Sequence, residues 1–323
     1  MKRFEFVEAS SLAQAAKLAA QPNGAVRAGG IDLMDLQKEH LAEPDRVISI
    51  RRVPGAAEIR EEGGALVIGP LVTLAQLASH PVALAKWKAV AVAAGEAASP
   101  QVRNQATVIG NLLQRPRCWY FRNELLQCAR KGGPDCLSQE GENRYHAIFE
   151  NKDCAIVHAS NVSPAAMLFD GSVKTVKADG SRREIPLAKL FVKPEVDITK
   201  EHVLEAGEVV EALVLPAKAG GDHSSFLAAR EKSAFDWPLF SLAVRLEMSG
   251  NVVKAAQIVF GAAAPTPLRR EKAEAALVGK AIDEATARAA AALCFEDATP
   301  MTQNGYKVAM GTALTARAIL AAV

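Results

Sequence analysis

The 323-residue sequence predicts an α+β chain built as successive units. Three observations carry this: a strand-then-helix opening over Phe4 to Ala20, a second such start after Gly55, and two strand-like runs joined by Gly250-Asn251 and followed by helical segments.

In the first unit a strand-like start precedes Ser10-Ser-Leu-Ala-Gln-Ala-Ala-Lys-Leu-Ala, where a serine caps helix-spaced apolar residues. Val26-Arg27-Ala28 runs into Gly29-Gly30. Ile31-Asp-Leu-Met-Asp-Leu-Gln-Lys then reads as a helix start and Arg46-Val-Ile-Ser-Ile50 as another strand. The second unit has a strand at Ala65-Leu-Val-Ile-Gly69 and a capped helix at Thr73-Leu-Ala-Gln-Leu-Ala78. Further strands fall at Ser172-Val-Lys-Thr-Val-Lys177 and Glu208-Val-Val-Glu-Ala-Leu-Val-Leu215. Lys218-Ala-Gly-Gly-Asp222 is a polar, glycine-bearing link. In the third unit Leu239–Leu246 and Val252–Phe260 form a hairpin, with helices over Arg269–Leu277, Glu284–Leu293 and Tyr306–Leu320. The resulting boundaries are 1–54, 55–217 and 222–323.

Composition is that of a globular chain, 50% hydrophobic and 23% charged, with aromatics at only 5%. A formal net charge of +2 is too small for a nucleic-acid or membrane surface, which would need a concentrated basic face. Small molecules or protein partners are expected instead. The start, Met1-Lys-Arg-Phe-Glu-Phe, leads into Glu8 and Ser10-Ser11, so no signal peptide is expected. The apolar run Ala89–Ala94 is closed by Gly95 and Glu96, well short of the ~20 residues that span a bilayer.

Four of the five cysteines, Cys118, Cys128, Cys136 and Cys154, fall in one stretch, and reduced thiols are expected in a chain of this size. Cys294 lies alone beside Ala289-Ala-Ala-Ala-Leu293 and reads as a buried structural residue. Structural zinc favours tight C-x₂₋₄-C pairs, and this stretch has none. On the residues alone, zinc, an iron–sulfur cluster and no ligand all stay open. His146 reads as a surface or hydrogen-bonding histidine, and His158 as a packed one. Arg115, Arg117, Arg122 and Arg130 read as a solvated face, or as groups that favour a reduced anionic cluster or dock a partner.

Two glycine-bearing turns complete the chemistry. In Ala28-Gly29-Gly30-Ile31-Asp32 the absent side chains let backbone N–H groups approach an anion such as a pyrophosphate, although the pattern is not G-x-G-x-x-G. Thr107-Val-Ile-Gly-Asn111 adds a hydroxyl, a glycine and an amide, just ahead of the cysteines.

Val26-Arg-Ala-Gly-Gly-Ile-Asp-Leu33, Ser99-Pro-Gln-Val-Arg-Asn-Gln-Ala-Thr-Val-Ile-Gly-Asn-Leu-Leu-Gln-Arg-Pro-Arg-Cys118 and Lys232-Ser-Ala-Phe-Asp-Trp-Pro238 together resemble the FAD-binding subunit of the xanthine dehydrogenase, or molybdenum hydroxylase, family. The likeness runs nearly end to end. It is nearest to the branch with an extra [4Fe-4S] cluster, the periplasmic aldehyde oxidoreductase and 4-hydroxybenzoyl-CoA reductase type. The fold it implies is a two-part vanillyl-alcohol-oxidase (PCMH)-type FAD-binding domain followed by a smaller α+β C-terminal domain.

The resemblance implies FAD contacts from Val26, Arg27, Ala28, Gly29, Gly30, Ile31, Asp32 and Leu33, with Ala28 to Leu33 wrapping the pyrophosphate. Thr107, Gly110 and Asn111 would add a second set. Lys232 would reach the flavin side, and Leu215 would lie by the ring system. Ile31 stands where a hydroxyl residue is common, Ile109 replaces a glycine, and Asn161 follows Ser160 where a carboxylate is common. The four cysteines would hold the [4Fe-4S] cluster in an insertion at about 115–157.

No paired carboxylates or nucleophile–base constellation stands out, so the chemistry would belong to cofactors. The implied assembly adds a large molybdenum-cofactor subunit and a small [2Fe-2S] subunit, with electrons passing through FAD to an external acceptor. The implied compartment is cytoplasmic, or periplasmic if the folded complex is exported on a partner's signal. Two other readings are the FAD subunit of an NAD-linked purine-type dehydrogenase, which the cysteine insertion disfavours, and a zinc-stabilised binding protein without redox activity.

Overall fold

The computed structural model of the chain describes residues 1–218, 223–232 and 235–323. The expected link, beyond Lys218, lies outside the described residues, as do Ser233 and Ala234. Three sheets follow one another along the sequence.

The first sheet is parallel. β1 (Glu5–Glu8), β2 (Gly24–Arg27) and β3 (Arg46–Ser49) lie in the order β1-β3-β2. Parallel neighbours need crossovers, and α1 (Leu12–Ala19) and α2 (Ile31–Lys38) supply them. The Ser11 hydroxyl caps α1 by accepting from the backbone N–H of Gln14. Ala15, Ala16, Ile48 and Ile50 pack with Val176 and Val209, which ties this sheet to the next.

The second sheet is antiparallel, in the order β4-β5-β8-β6-β7. Its strands are β4 (Ile59–Glu62), β5 (Ala65–Ile68), β6 (Ser172–Val176), β7 (Arg182–Pro186) and β8 (Val209–Leu215). Between β5 and β6 the chain leaves the sheet to build the helices Leu74–Ala78, Pro81–Lys86 and Lys88–Gly95, then the cysteine stretch, then the helix Val162–Met167. The expected cap at Thr73 is a full capping box with Gln76. Trp87 is fully buried in the resulting core, with its indole N–H donating to Pro216 O at 3.2 Å.

The third sheet holds β9 (Ser224–Ala229), β10 (Phe240–Ser249), β11 (Val252–Gly261) and β12 (Leu268–Arg269), in the order β12-β11-β10-β9. The Gly250-Asn251 hairpin is present between β10 and β11. β9 was not expected, because Ser224-Ser-Phe-Leu-Ala-Ala229 lacks alternation; pairing with β10 makes it a strand. One side of this sheet carries the helices Glu271–Leu277, Glu284–Leu293 and Tyr306–Ala321, and Cys294 is fully buried there, as expected.

Two residues of the cysteine stretch break chain order. Ile148 and Phe149 belong to the apolar core of the third sheet, with Phe149 against Phe260 and Phe295. Burying each such side chain is worth about 1.5–3 kcal/mol, so this stretch is docked onto the C-terminal part. Among the described residues, no helix is long and apolar enough to cross a membrane.

Candidate functional site

A cavity of about 670 Å³ opens between the first two units and the segment leading into β10. Its size is within the usual range for an organic cofactor. All eight residues from Val26 to Leu33 line it, together with Thr107, Gly110, Asn111 and Asn161. The two glycine turns, separated by some eighty positions in sequence, therefore face one space.

The first turn is glycine for two different reasons. Gly30 has φ +80°, a left-handed conformation that side chains resist, and it opens α2 with no side-chain cap. Its successors' N–H groups and the positive end of the helix dipole suit a phosphate. At Gly29 a Cβ would meet Gln105 O at 2.2 Å, because the Gln105 amide donates back to Gly29 O at 2.7 Å. The turn is thereby held tightly to the loop before the second turn.

The second turn is a short helix, Val108–Leu112, rather than an open loop. Thr107 caps it, its hydroxyl accepting from Gly110 N at 3.0 Å. Asn111 Oδ1 accepts from Ser160 Oγ at 2.7 Å and from Val162 N at 3.3 Å, fixing the backbone that carries Asn161. Asn161 is buried, and among the described residues its Oδ1 has no hydrogen-bond partner; neither has the buried Nε of Arg117, another lining residue. Buried polar atoms need partners, and a polar cofactor would supply them. The donor set fits FAD: backbone N–H groups at a helix start, amides, guanidinium groups and apolar walls.

Two expected contacts stand elsewhere. Leu215 is fully buried in the core at the far end of β8 and does not line the cavity; Val209 and Val210, at the near end of that strand, do. Lys232 is exposed and also outside the lining, whereas Phe235, Asp236, Trp237 and Pro238 of the same run border the cavity. Reading from sequence missed Val209 and Val210 because they look like any core strand. Trp237 carried a signal, since it lies in the run Lys232–Pro238 that bears the family resemblance.

The arginines are not a solvated face. Asp32, in the first turn of α2, accepts from the backbone N–H of Arg115 at 2.9 Å, and its Oδ1 takes Arg122 at 2.8 Å and Arg117 at 2.6 Å. Burial pushes the Arg117 guanidinium down from its usual pKa, against the pull of Asp32. That guanidinium also stacks on Trp237, 4.5 Å from the ring centroid. Arg122 reaches Asp35 and Glu39 as well, and Arg130 and Arg115 share Glu201. The first glycine turn with its helix and the cysteine stretch are thus bridged by ion pairs.

Cys118, Cys128, Cys136 and Cys154 border a second, small cavity, beside Phe121 and Arg130, and all are free thiols. Burial raises the Cys118 thiol to about 11. A thiol hydrogen bond between Cys136 and Cys154 lowers the former to about 5 and raises the latter. His146 is buried, which overturns the surface alternative and leaves the hydrogen-bonding one, its Nε2 lying 3.2 Å from Cys118 Sγ. Burial, and then the charge of Lys307, lower its pKa to about 4. His158 is buried and lowered by burial to about 3, with Nε2 3.0 Å from Ser163 Oγ and its ring against Phe191. Among the described residues, no group of three or more His, Cys, Asp or Glu is arranged to hold a metal ion.

The fold and the cavity define a two-part dinucleotide-binding protein with an appended α+β domain. Residues 2–218 match the FAD binding domain in molybdopterin dehydrogenase, and residues 224–322 the CO dehydrogenase flavoprotein C-terminal domain. The chain belongs to the FAD-binding subunits of the molybdenum hydroxylase family. It is 32% identical to the aldehyde oxidoreductase FAD-binding subunit PaoB of Escherichia coli, over 95% of this chain and 94% of that one. It is 29% identical to the carbon monoxide dehydrogenase medium chain of Hydrogenophaga pseudoflava, over 99% and 97%. A solved structure of carbon monoxide dehydrogenase from that organism superposes with a TM-score of 0.77 at 28% identity, covering 99% of this chain and 97% of the other. A quinoline 2-oxidoreductase chain from Pseudomonas putida, 23% identical with a TM-score of 0.76 over 100% of this chain and 98% of that one, shares the fold.

Proposed function

We propose that the chain is the electron-transfer flavoprotein subunit of a heterotrimeric molybdenum-dependent aldehyde or aromatic hydroxylase. Electrons would come from the [2Fe-2S] clusters of a small subunit, themselves supplied by a large molybdenum-cofactor subunit, and leave to an external acceptor. The observation that carries this is the convergence of both glycine turns, Asn161 and Arg117 on one cofactor-sized cavity, in a chain whose relatives are aldehyde oxidoreductase and carbon monoxide dehydrogenase subunits. Residues 1–54 and 55–217 would form the two halves of the flavin domain and 222–323 the C-terminal domain.

Val26 to Leu33, Thr107, Gly110, Asn111 and Asn161 would hold FAD, whose ring accepts and releases electrons singly or in pairs. The N–H groups opening α2 bind the pyrophosphate. Asn111 orients Asn161 through Ser160, and Asn161 offers its unpartnered oxygen to a donor. Val209, Val210 and Trp237 exclude water from the apolar wall. Asp32 also lines the cavity, and its bonds to the Arg115 N–H, Arg117 and Arg122 would offset its negative charge beside the anion.

The finer assignment is a [4Fe-4S] cluster on Cys118, Cys128, Cys136 and Cys154. Four free thiols around one cavity, with none lost to a disulfide, support it. A cubane takes one thiolate on each of four separate irons, so its ligands stand further apart than those of a single ion. Anaerobic purification with its co-purifying chains, followed by the visible spectrum and iron and sulfide analysis, tests the whole reading. Flavin bands with a broad iron–sulfur shoulder are expected. A colourless chain sinks it, and a flavin spectrum without iron sinks the cluster alone.

A further inference from the structure

Lys307 is the most unusual charged side chain in the fold. It is fully buried on the last helix of the chain, and its Nζ donates to three backbone carbonyls: Tyr145 at 3.0 Å, His146 at 2.9 Å and Ala262 at 3.3 Å. Two of these belong to the cysteine stretch and one follows β11 in the third unit. A buried ammonium without a carboxylate is costly, so its three acceptors must be held in place by the structure around them.

The surrounding contacts repeat the same link. Asn304, also fully buried, donates through Nδ2 to His146 O and Ala147 O, both at 3.2 Å. From the other side, fully buried Asn143 pairs reciprocally with Gln303: its N–H donates to Gln303 Oε1 at 3.1 Å, and its Oδ1 accepts from Gln303 N at 2.9 Å. Asn143 Nδ2 also donates to Ser138 O, two residues beyond Cys136. The span between Cys136 and Cys154 is therefore fixed to the C-terminal part. Cys118 and Cys128 are fixed instead to the flavin part, since Arg122 and Arg130, close behind them, pair with Asp32 and Glu201. The cysteine cavity straddles a seam.

We propose that Lys307, with Asn304 and Asn143, is a positioning clamp that brings Cys136 and Cys154 to Cys118 and Cys128, so that the four-thiol site exists only when the C-terminal domain is docked. This rests on the cluster reading for its ligand, but the clamp itself can be judged without it. The flavin turns lie outside the clamp, so loosening it separates iron from flavin, which general unfolding does not do.

The test compares full-length wild type, Lys307→Met and Gln303→Ala, purified anaerobically. The readouts are iron per chain, flavin per chain and limited proteolysis mapped between residues 136 and 154. The expected result is that Lys307→Met keeps its flavin, loses most of its iron and becomes cleavable in that span. Wild-type iron and protease resistance in Lys307→Met overturn the clamp. If wild type itself holds flavin but no iron, the cluster reading fails and proteolysis alone decides: a newly opened span supports the clamp, and an unchanged pattern rejects it. If Lys307→Met does not fold, the exposed Gln303→Ala decides: selective loss of iron or of protection supports the clamp, and retention of both rejects it.

Discussion

The proposed flavin cradle and the cysteine pocket are built in opposite ways. Each turn of the cradle is made by a few consecutive residues, Ala28 to Asp32 and Thr107 to Asn111, whose shape follows from glycine and a capping hydroxyl. The cysteine pocket is made by four residues spread over one stretch, 118–154, and held by partners much further away, up to 162 positions downstream. Local chemistry writes the first site into the sequence, whereas tertiary docking assembles the second.

The bridge between the two regions is the place where disturbing one should most affect the other. Asp32→Ala removes a carboxylate shared by Arg117 and Arg122, leaving two largely buried guanidinium groups short of a partner. Such a loss costs about 3 kcal/mol. The expected outcome is lower unfolding stability, with both flavin affinity and iron content reduced; if only one falls, the regions are independent.

Gly29→Ala acts on the cradle alone. The new methyl would overlap Gln105 O, and overpacking of this kind costs about 2 kcal/mol, or roughly thirtyfold in flavin affinity by titration. Iron content should not change.

A smaller effect is expected at the cavity wall. Burial alone would raise the Glu208 carboxyl, but bonds from Arg183, Thr175 and the Glu205 backbone hold it down at about 2, against an ordinary 4.5. Its folded-state pKa is depressed, so its contribution is fully present above pH 4.5 and is lost as pH falls towards 2. Glu208→Gln should make the acid dependence of stability shallower across that window, with unfolding followed at each pH.

Cys294→Ala sharpens the contrast by doing almost nothing. Cys294 is fully buried against the C-terminal core, away from the other thiols, so about 1 kcal/mol of stability goes while iron per chain stays constant. Loss of iron would give the fifth thiol a role that its position denies.

How much of this was legible in the sequence follows the same division. The strands and helices over Arg46–Ser49, Leu74–Ala78, Val209–Leu215 and the hairpin of Phe240–Ser249 with Val252–Gly261 could be read from period and turn residues. The cavity residues of both glycine turns could be named. β9 could not be read, because its pattern is weak and its pairing makes it a strand. The contact at Leu215 was implied by resemblance alone, and the cavity is lined instead by Val209 and Val210 at the other end of β8. Arg117 and Arg122 looked like surface charge because their partners, Asp32 and Asp35, sit some eighty positions earlier. Lys307 and Asn304 gave no warning at all, as a lysine in a helical stretch is ordinarily solvated.

The contacts of Asn143 and Lys307 also set a clock on synthesis. Asn143 leaves the ribosome 160 residues ahead of Gln303, an interval of roughly 8–30 s at ordinary elongation rates. During it, Ile148 and Phe149 have no core to enter, because the sheet that buries them has not been made. The nascent chain therefore carries an uncovered apolar segment beside four reduced thiols until its last helix emerges.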